Sequence, residues 1–269
     1  MTALILKIIA LVSMLIDHAG ILLATAYPEH SHIFIWFRAI GRLAWPIFAF
    51  LLAEGFRHTL LSDKSTSEYA VGSRSLKFLM RLLAFALISE IPYDLAMGNN
   101  ISFAADTSIF YTLFLGGMAI CLFERLKEKY SSLNMGHTTA FMGAILPTVV
   151  LAEILTADYG GLGVLLIFTM YAISNKPKPL RLSALGIFAL SQFIPLALAY
   201  SLGIAIRMEY LLMIPFALAP VPLIAFYNGK RGYDVSIFGK RMKTNIKWLF
   251  YWAYPAHLAV LAVIALFVL

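Results

Sequence analysis

An acid and an imidazole stand side by side inside one long apolar run: Asp17 and His18 interrupt the stretch from Leu4 to Tyr27. An ionisable group at the centre of a bilayer costs about 2.5–3.5 kcal/mol on insertion scales, so such residues face a bundle interior or a wet cavity and mark a site. Other charges lie in apolar stretches as well. Arg38 and Arg42 are four residues apart, as are Glu90 and Asp94, so each pair shares one helix face; Glu54, Arg81 and His257 are similarly embedded. Imidazole exchanges protons near neutral pH, carboxylates orient it, and a fixed guanidinium stabilises developing negative charge. The set suits proton-linked chemistry in a dry site. Ion pairing that only holds helices together is the competing account of the arginines and carboxylates.

The elements that must position these residues are transmembrane helices. Hydrophobic residues make up 61% of the 269-residue chain, charged residues 13%, and the mean hydropathy is +0.83, whereas a soluble domain is charged at about a quarter of its positions. The expected fold is therefore an all-α integral membrane bundle of about nine helices. The apolar runs are 3–27, 34–60, 75–97, 107–125, 137–157, 160–175, 181–202, 208–227 and 247–268. No separate soluble domain fits. The sole cysteine, Cys121, excludes a disulfide or cysteine metal cluster within the chain. Ala24-Thr25-Ala26 imitates a signal-peptide cleavage site, but the apolar run before it is long and carries Asp17 and His18, so it is read as part of a span.

Alternate connections are basic: Arg57 to Lys77, Arg125 to Lys129, Lys176 to Arg181 and Lys230 to Lys247. The others, around Pro28–His32, Met97–Asp106, Thr156–Gly161 and Gly203–Ile206, contain neither lysine nor arginine. The positive-inside rule then predicts a cytoplasmic N-terminus and an exterior C-terminus. The formal charge of +7 follows from this topology and from contact with anionic lipid in the bilayer, with no nucleic acid implied. Asp17 and His18 fall somewhat past mid-membrane, near an outer layer of Arg38, Arg42, Glu90 and Asp94, while Glu54 and Arg81 form an inner layer. The expected pairings are between Arg38 or Arg42 and Glu90 or Asp94, and between Glu54 and Arg81. Pro92 frees a carbonyl between Glu90 and Asp94 and favours a cavity there. Glu153, Asp158 and Glu209 lie near the outer face, and His30 and His32 are too sparse for a metal site. No HExxH, GxSxG or P-loop pattern occurs.

Several motifs together carry a resemblance. They are Leu6-Lys7-Ile8-Ile9-Ala10 leading into Met14-Leu15-Ile16-Asp17-His18-Ala19-Gly20, and the run from Gly41-Arg42-Leu43-Ala44-Trp45-Pro46 through Ala53-Glu54-Gly55. Arg81-Leu82-Leu83 through Ser89-Glu90-Ile91-Pro92-Tyr93-Asp94 is the third, followed by Ala157-Asp158-Tyr159-Gly160, Tyr227-Asn228-Gly229-Lys230-Arg231-Gly232 and Tyr254-Pro255-Ala256-His257. In order and spacing they resemble the TraX family, nearly end to end. The resemblance implies one transmembrane acyltransferase-like domain over residues 1–269, in the bacterial cytoplasmic (inner) membrane. It also implies kinship with a wider clan that includes heparan glucosaminide N-acetyltransferase. Such enzymes carry an acyl group from a cytosolic donor, typically acetyl-CoA, to an acceptor at or beyond the far face: a pilin or other peptide, a glycan or a lipid.

On that reading His18 is the base that takes the acceptor's proton. Consecutive helix residues point about 100° apart, so Asp17 does not serve it directly. Glu90, Asp94 or a residue on another helix orients the ring, while Asp17 holds Arg38, Arg42 or the acceptor. Arg42 is the oxyanion donor and His257 a second base or acyl-carrying nucleophile. At the inner mouth Glu54, Arg57, Arg81, Lys230 and Arg231 are candidates for holding the acyl-CoA; Arg38, Asp158 and Tyr159 are candidates for holding the acceptor. O-acetylation of an envelope glycan or lipid is the alternative within the class. A proton-coupled transporter is the alternative outside it, since broken helices at Pro46, Pro92, Pro195 and Pro215 also suit transport.

Overall fold

The computed structural model of the chain describes residues 1–65, 69–97, 106–131, 136–203, 211, 213–232, 236–237, 240–241 and 246–268. Glu209, Lys243 and Asn100, and much of the exterior connections expected after the third and seventh spans, lie outside the described residues. Among the described residues twelve α-helices follow one another: α1 (Ala3–Ala26), α2 (Ser31–Gly41), α3 (Ala44–Lys64), α4 (Ser73–Met97), α5 (Ile109–Lys129), α6 (Gly136–Ile154), α7 (Gly160–Ala172), α8 (Lys178–Ser191), α9 (Ile194–Ser201), α10 (Met213–Leu218), α11 (Pro220–Ala225) and α12 (Ile246–Val268). Two two-residue strands, β1 (Ser236–Ile237) and β2 (Lys240–Arg241), pair antiparallel.

Five stretches are long and apolar enough to cross a membrane: Ala3–Ala26, His32–Lys64, Ile109–Lys129, Gly136–Ile154 and Trp248–Leu266. The expected spans differ from the helices where proline intervenes. The run 34–60 divides at Arg42–Leu43, because Pro46 has no N–H for the Arg42 carbonyl; Arg42 and Leu43 instead donate back to Ala39 and Ile40. The same residue type divides 181–202 at Gln192–Phe193, just before Pro195, and 208–227 before Pro220. The run 160–175 yields a 13-residue helix, about 20 Å long and shorter than a hydrocarbon core of about 30 Å. Large apolar side chains on the helix exteriors remain uncovered, among them Ile187 at 68% and Leu266 at 81% exposure, as a lipid-facing surface requires.

The chain groups into two compact units: Met1–Phe48 with Pro177–Leu269, and Ala49–Lys176, the boundary falling inside α3. In the first unit α1 packs on α2 and α12, and α10 packs on α2, α8 and α11. Gly20 on α1 and Gly41 on α2 permit the close approach of that helical hairpin: a Cβ at Gly20 would run into the Phe37 side chain, and one at Gly41 into the Asp17 carboxylate. Loop 226–232 caps the start of α1. The Ala3 and Leu4 N–H groups, which have no partner within their own helix, donate to the Lys230 and Arg231 carbonyls at 2.9 and 3.1 Å; the terminal ammonium donates to the Phe226 carbonyl.

In the second unit α5 packs on α4, α6 and α7, and three carboxylates stand at three helix N-termini. Asp63 accepts from the Gly72, Arg74 and Ser75 N–H groups at the start of α4 (3.1, 3.3 and 2.9 Å) and from the Ser75 hydroxyl. Glu90 accepts from the Ser108 N–H before α5 at 3.4 Å, and Glu153 from the Gly161 N–H of α7 at 2.8 Å. Each carboxylate satisfies donors that the helix cannot and sits at the positive end of its dipole.

Candidate active site

His18 on α1 meets His257 on α12. Their facing nitrogens, His18 Nδ1 and His257 Nε2, are 2.7 Å apart. Ring planes 14° apart with centroids separated by 5.0 Å describe two imidazoles sharing one in-line N–H···N bond edge to edge, since that bond length leaves no face-to-face overlap at this separation. The Lys7 ammonium lies over the Phe250 ring at 5.4 Å from its centroid, so α1 and α12 run parallel and carry the two histidines on facing sides. Tyr254, 4% exposed, sets its edge against both rings at 68° and 71° and packs the pair from one side.

The bonding fixes the tautomers. His257 Nδ1 lies 2.8 Å from the Ala253 carbonyl, which can only accept, so Nδ1 bears the proton. With both rings neutral, His257 Nε2 then accepts from His18 Nδ1–H, and the free lone pair of the pair resides on His18 Nε2. No described residue bonds that atom. Both histidines are half-buried, which keeps the lone pair reachable.

Asp17, the neighbour of His18, turns to α2 and accepts from Arg38 Nη1 at 2.6 Å. The charge of Arg42 also bears on Asp17, yet its guanidinium makes no hydrogen bond to a described residue. Asp17, His18, Arg38, Arg42 and His257 thus belong to one unit, together with Lys230 and Arg231, whose side chains are exposed on the loop that caps α1. The short α1–α2 connection brings Asp17 and Arg38 together. The hydrogen-bond partner of His18 is His257, on another helix.

The second unit holds the remaining candidates. Glu54 pairs with Arg57 at 3.0 Å and with His58 at 3.7 Å, both on its own helix. The expected Glu54–Arg81 pair is replaced by this local one, while Arg81 lies over the Phe78 ring at 5.5 Å. Glu90 and Asp94 are buried together on α4. Asp158 and Tyr159 occupy a turn in which Thr156, Tyr159 and Gly160 all take positive φ (46°, 64° and 49°), a conformation costly for the two that are not glycine. Its backbone is pinned: Asp158 N–H donates to the Thr107 carbonyl at 3.1 Å, and the Thr112 hydroxyl to the Asp158 carbonyl. A cluster that sequence reading missed joins the buried Glu124 to the exposed Lys64 (3.0 Å) and to the Tyr171 hydroxyl (2.8 Å). Among the described residues no group of His, Cys, Asp and Glu could hold a metal ion.

Fold and site define a helical membrane protein with a hydrogen-bonded histidine pair and ion pairs inside its apolar helices. The profile of the TraX protein family matches residues 3–265, and the chain belongs to that family. It is 26% identical over 267 residues to a probable fimbrial assembly protein FimC, serogroup H1, of Dichelobacter nodosus, covering 95% of this chain and 92% of that one. No solved structure matches it.

Proposed function

We propose that this protein is a membrane-embedded acyltransferase that moves an acetyl or other acyl group from a cytosolic acyl-CoA to an amine or hydroxyl acceptor at or beyond the membrane. Within that reading the acceptor is a peptide N-terminus of a pilin or fimbrial subunit, in line with the name of the Dichelobacter relative as a fimbrial assembly protein; an envelope glycan or lipid hydroxyl is the alternative. The observation that carries it is the free His18 Nε2, held as a base by the bond from His18 Nδ1–H to His257 Nε2. The same reading takes the chain to cross the bacterial cytoplasmic membrane about nine times, N-terminus inside and C-terminus outside.

The chemistry is a proton-balanced exchange. The acceptor N–H or O–H gives its proton to His18 Nε2 as its nitrogen or oxygen bonds to the thioester carbon; the C–S bond then breaks, and the proton leaves on the thiol. His257 is a positioning residue: its Nδ1–H is held by the Ala253 carbonyl, so its Nε2 keeps His18 in the tautomer that exposes a lone pair. The Asp17–Arg38 pair sits beside the base and fixes the α1–α2 hairpin. Arg42, with its guanidinium free of described hydrogen-bond partners, suits the transient oxyanion. The thioester donor supplies the acyl group and carries phosphates, and Lys230 and Arg231 fit these: their carbonyls are spent on capping α1 while their charged ends remain exposed. Arg57, already paired with Glu54, fits less well.

Purified full-length protein given radiolabelled acetyl-CoA, with acceptor peptides and glycans supplied separately, tests the proposal. Release of CoA with label on one acceptor supports it. Absence of CoA binding and turnover with every acceptor contradicts it.

A further inference from the structure

The exposed face of α4 changes character along its length. In its first two turns Arg74 and Lys77 are exposed, with Leu76 between them. Further on, the exposed large residues are apolar: Met80, Leu87, Ile88, Ile91 and Leu95, each 43–57% exposed. Helix positions three and four apart are neighbours, so Arg74, Lys77 and Arg81 line one side of the helix. At 1.5 Å per residue Arg81 stands about 12 Å in from the helix start, level with the apolar part of the face. It is half-buried and held in place: its guanidinium lies 5.5 Å from the centroid of the Phe78 ring, which stacks on the fully buried Phe56 at 4.4 Å.

Other cations of this unit have acids. Arg57 pairs with Glu54, and Lys64 and Lys127 with Glu124. None of the ion pairs among the described residues includes Arg74, Lys77 or Arg81. Arg74 spends Nη1 on the Ser62 carbonyl and hydroxyl, and Arg81 Nε is buried with no partner among the described residues. A cation at the level of an apolar, lipid-exposed surface calls for a counter-charge, and the bilayer offers one at the right depth: a phosphodiester, whose oxygens match the guanidinium fork. We propose that Arg74, Lys77 and Arg81 form a site for the headgroup of an anionic phospholipid, with Arg81 as its deepest contact and the acyl chains lying along Met80 and the apolar face beyond it. On the proposed topology the site belongs to the cytoplasmic leaflet. It stands independently of acyl transfer.

The full-length protein in a neutral detergent is unfolded thermally while phosphatidylglycerol, phosphatidylcholine of the same chains, or acetyl-CoA is titrated in. The expected result is a saturable rise in Tm with phosphatidylglycerol that phosphatidylcholine does not match. Arg81→Gln and Lys77→Gln should each raise the half-saturating phosphatidylglycerol about fivefold. Lys178→Gln, which removes an exposed cation from the other unit, should leave it unchanged. Because Lys77 is exposed, its variant keeps the test open if Arg81→Gln fails to fold. Equal responses to the two lipids overturn the site, as does wild-type half-saturation in either variant. An equal loss from Lys178→Gln overturns it too, since the attraction is then a diffuse field of basic residues. A rise with acetyl-CoA alone that depends on Arg81 gives these cations to nucleotide phosphates and contradicts the lipid site.

Discussion

Each side chain at the histidine pair has one geometric duty. His18 exposes the lone pair, His257 fixes the tautomer, and Asp17 engages Arg38 across a hairpin in which Gly41 leaves room for the carboxylate. Gly41→Ala should therefore displace Asp17 and cost about 1–3 kcal/mol as overpacking, read as a lowered Tm, whereas alanine at the open position Gly186 should leave Tm unchanged. Asp17 and Arg38 retain 19% and 34% side-chain exposure, so their coupling should fall between surface and buried pairs, about 1 kcal/mol in a double-mutant cycle of Asp17→Asn and Arg38→Gln. At this scale the sequence reveals which residues are anomalous but not whom they meet. His18 and His257 are each visible as imidazoles in apolar runs, yet 239 positions separate them, and nothing in one chain's hydropathy orders the helices.

The helices follow from apolar runs and from proline. Where a proline removes the donor for a carbonyl one turn back, the expected spans 34–60, 181–202 and 208–227 divide; where Pro92, Pro147 and Pro255 occur, the helix continues through. Proline spacing alone does not distinguish the two outcomes, because neighbouring groups decide whether the orphaned carbonyl is satisfied. Carboxylates at helix N-termini are the other recurring device, and Asp63 is the most heavily used. Asp63→Ala should strip four donors at the start of α4 and cost about 1–2 kcal/mol, a drop of about 2–8 °C in Tm. Asp63→Asn should recover part of it, since the amide oxygen still accepts. An unchanged Tm for the alanine variant would contradict the cap.

For the whole molecule, membership of the TraX family and the five long apolar helices agree with composition, which alone excludes a soluble protein. The proposed nine crossings rest on the apolar runs and on the placement of charge in the loops between them. Because the N-terminus hydrogen-bonds loop 226–232, cysteines at Thr2 and Lys230 should label from the same side with a membrane-impermeant maleimide, as should one at Lys64, while Asn100→Cys labels from the other. Cys121, 5% exposed, gives little background. Labelling of Thr2 and Lys230 from opposite faces would break the topology. The central claim, that His18 is the base of an acyl transfer, is tested by turnover of labelled acetyl-CoA with a responsive acceptor. His18→Ala should lower kcat by about 10²–10⁴ with folding intact, and His257→Ala should lower it less, with partial rescue by His257→Gln. Wild-type turnover from His18→Ala would contradict the account.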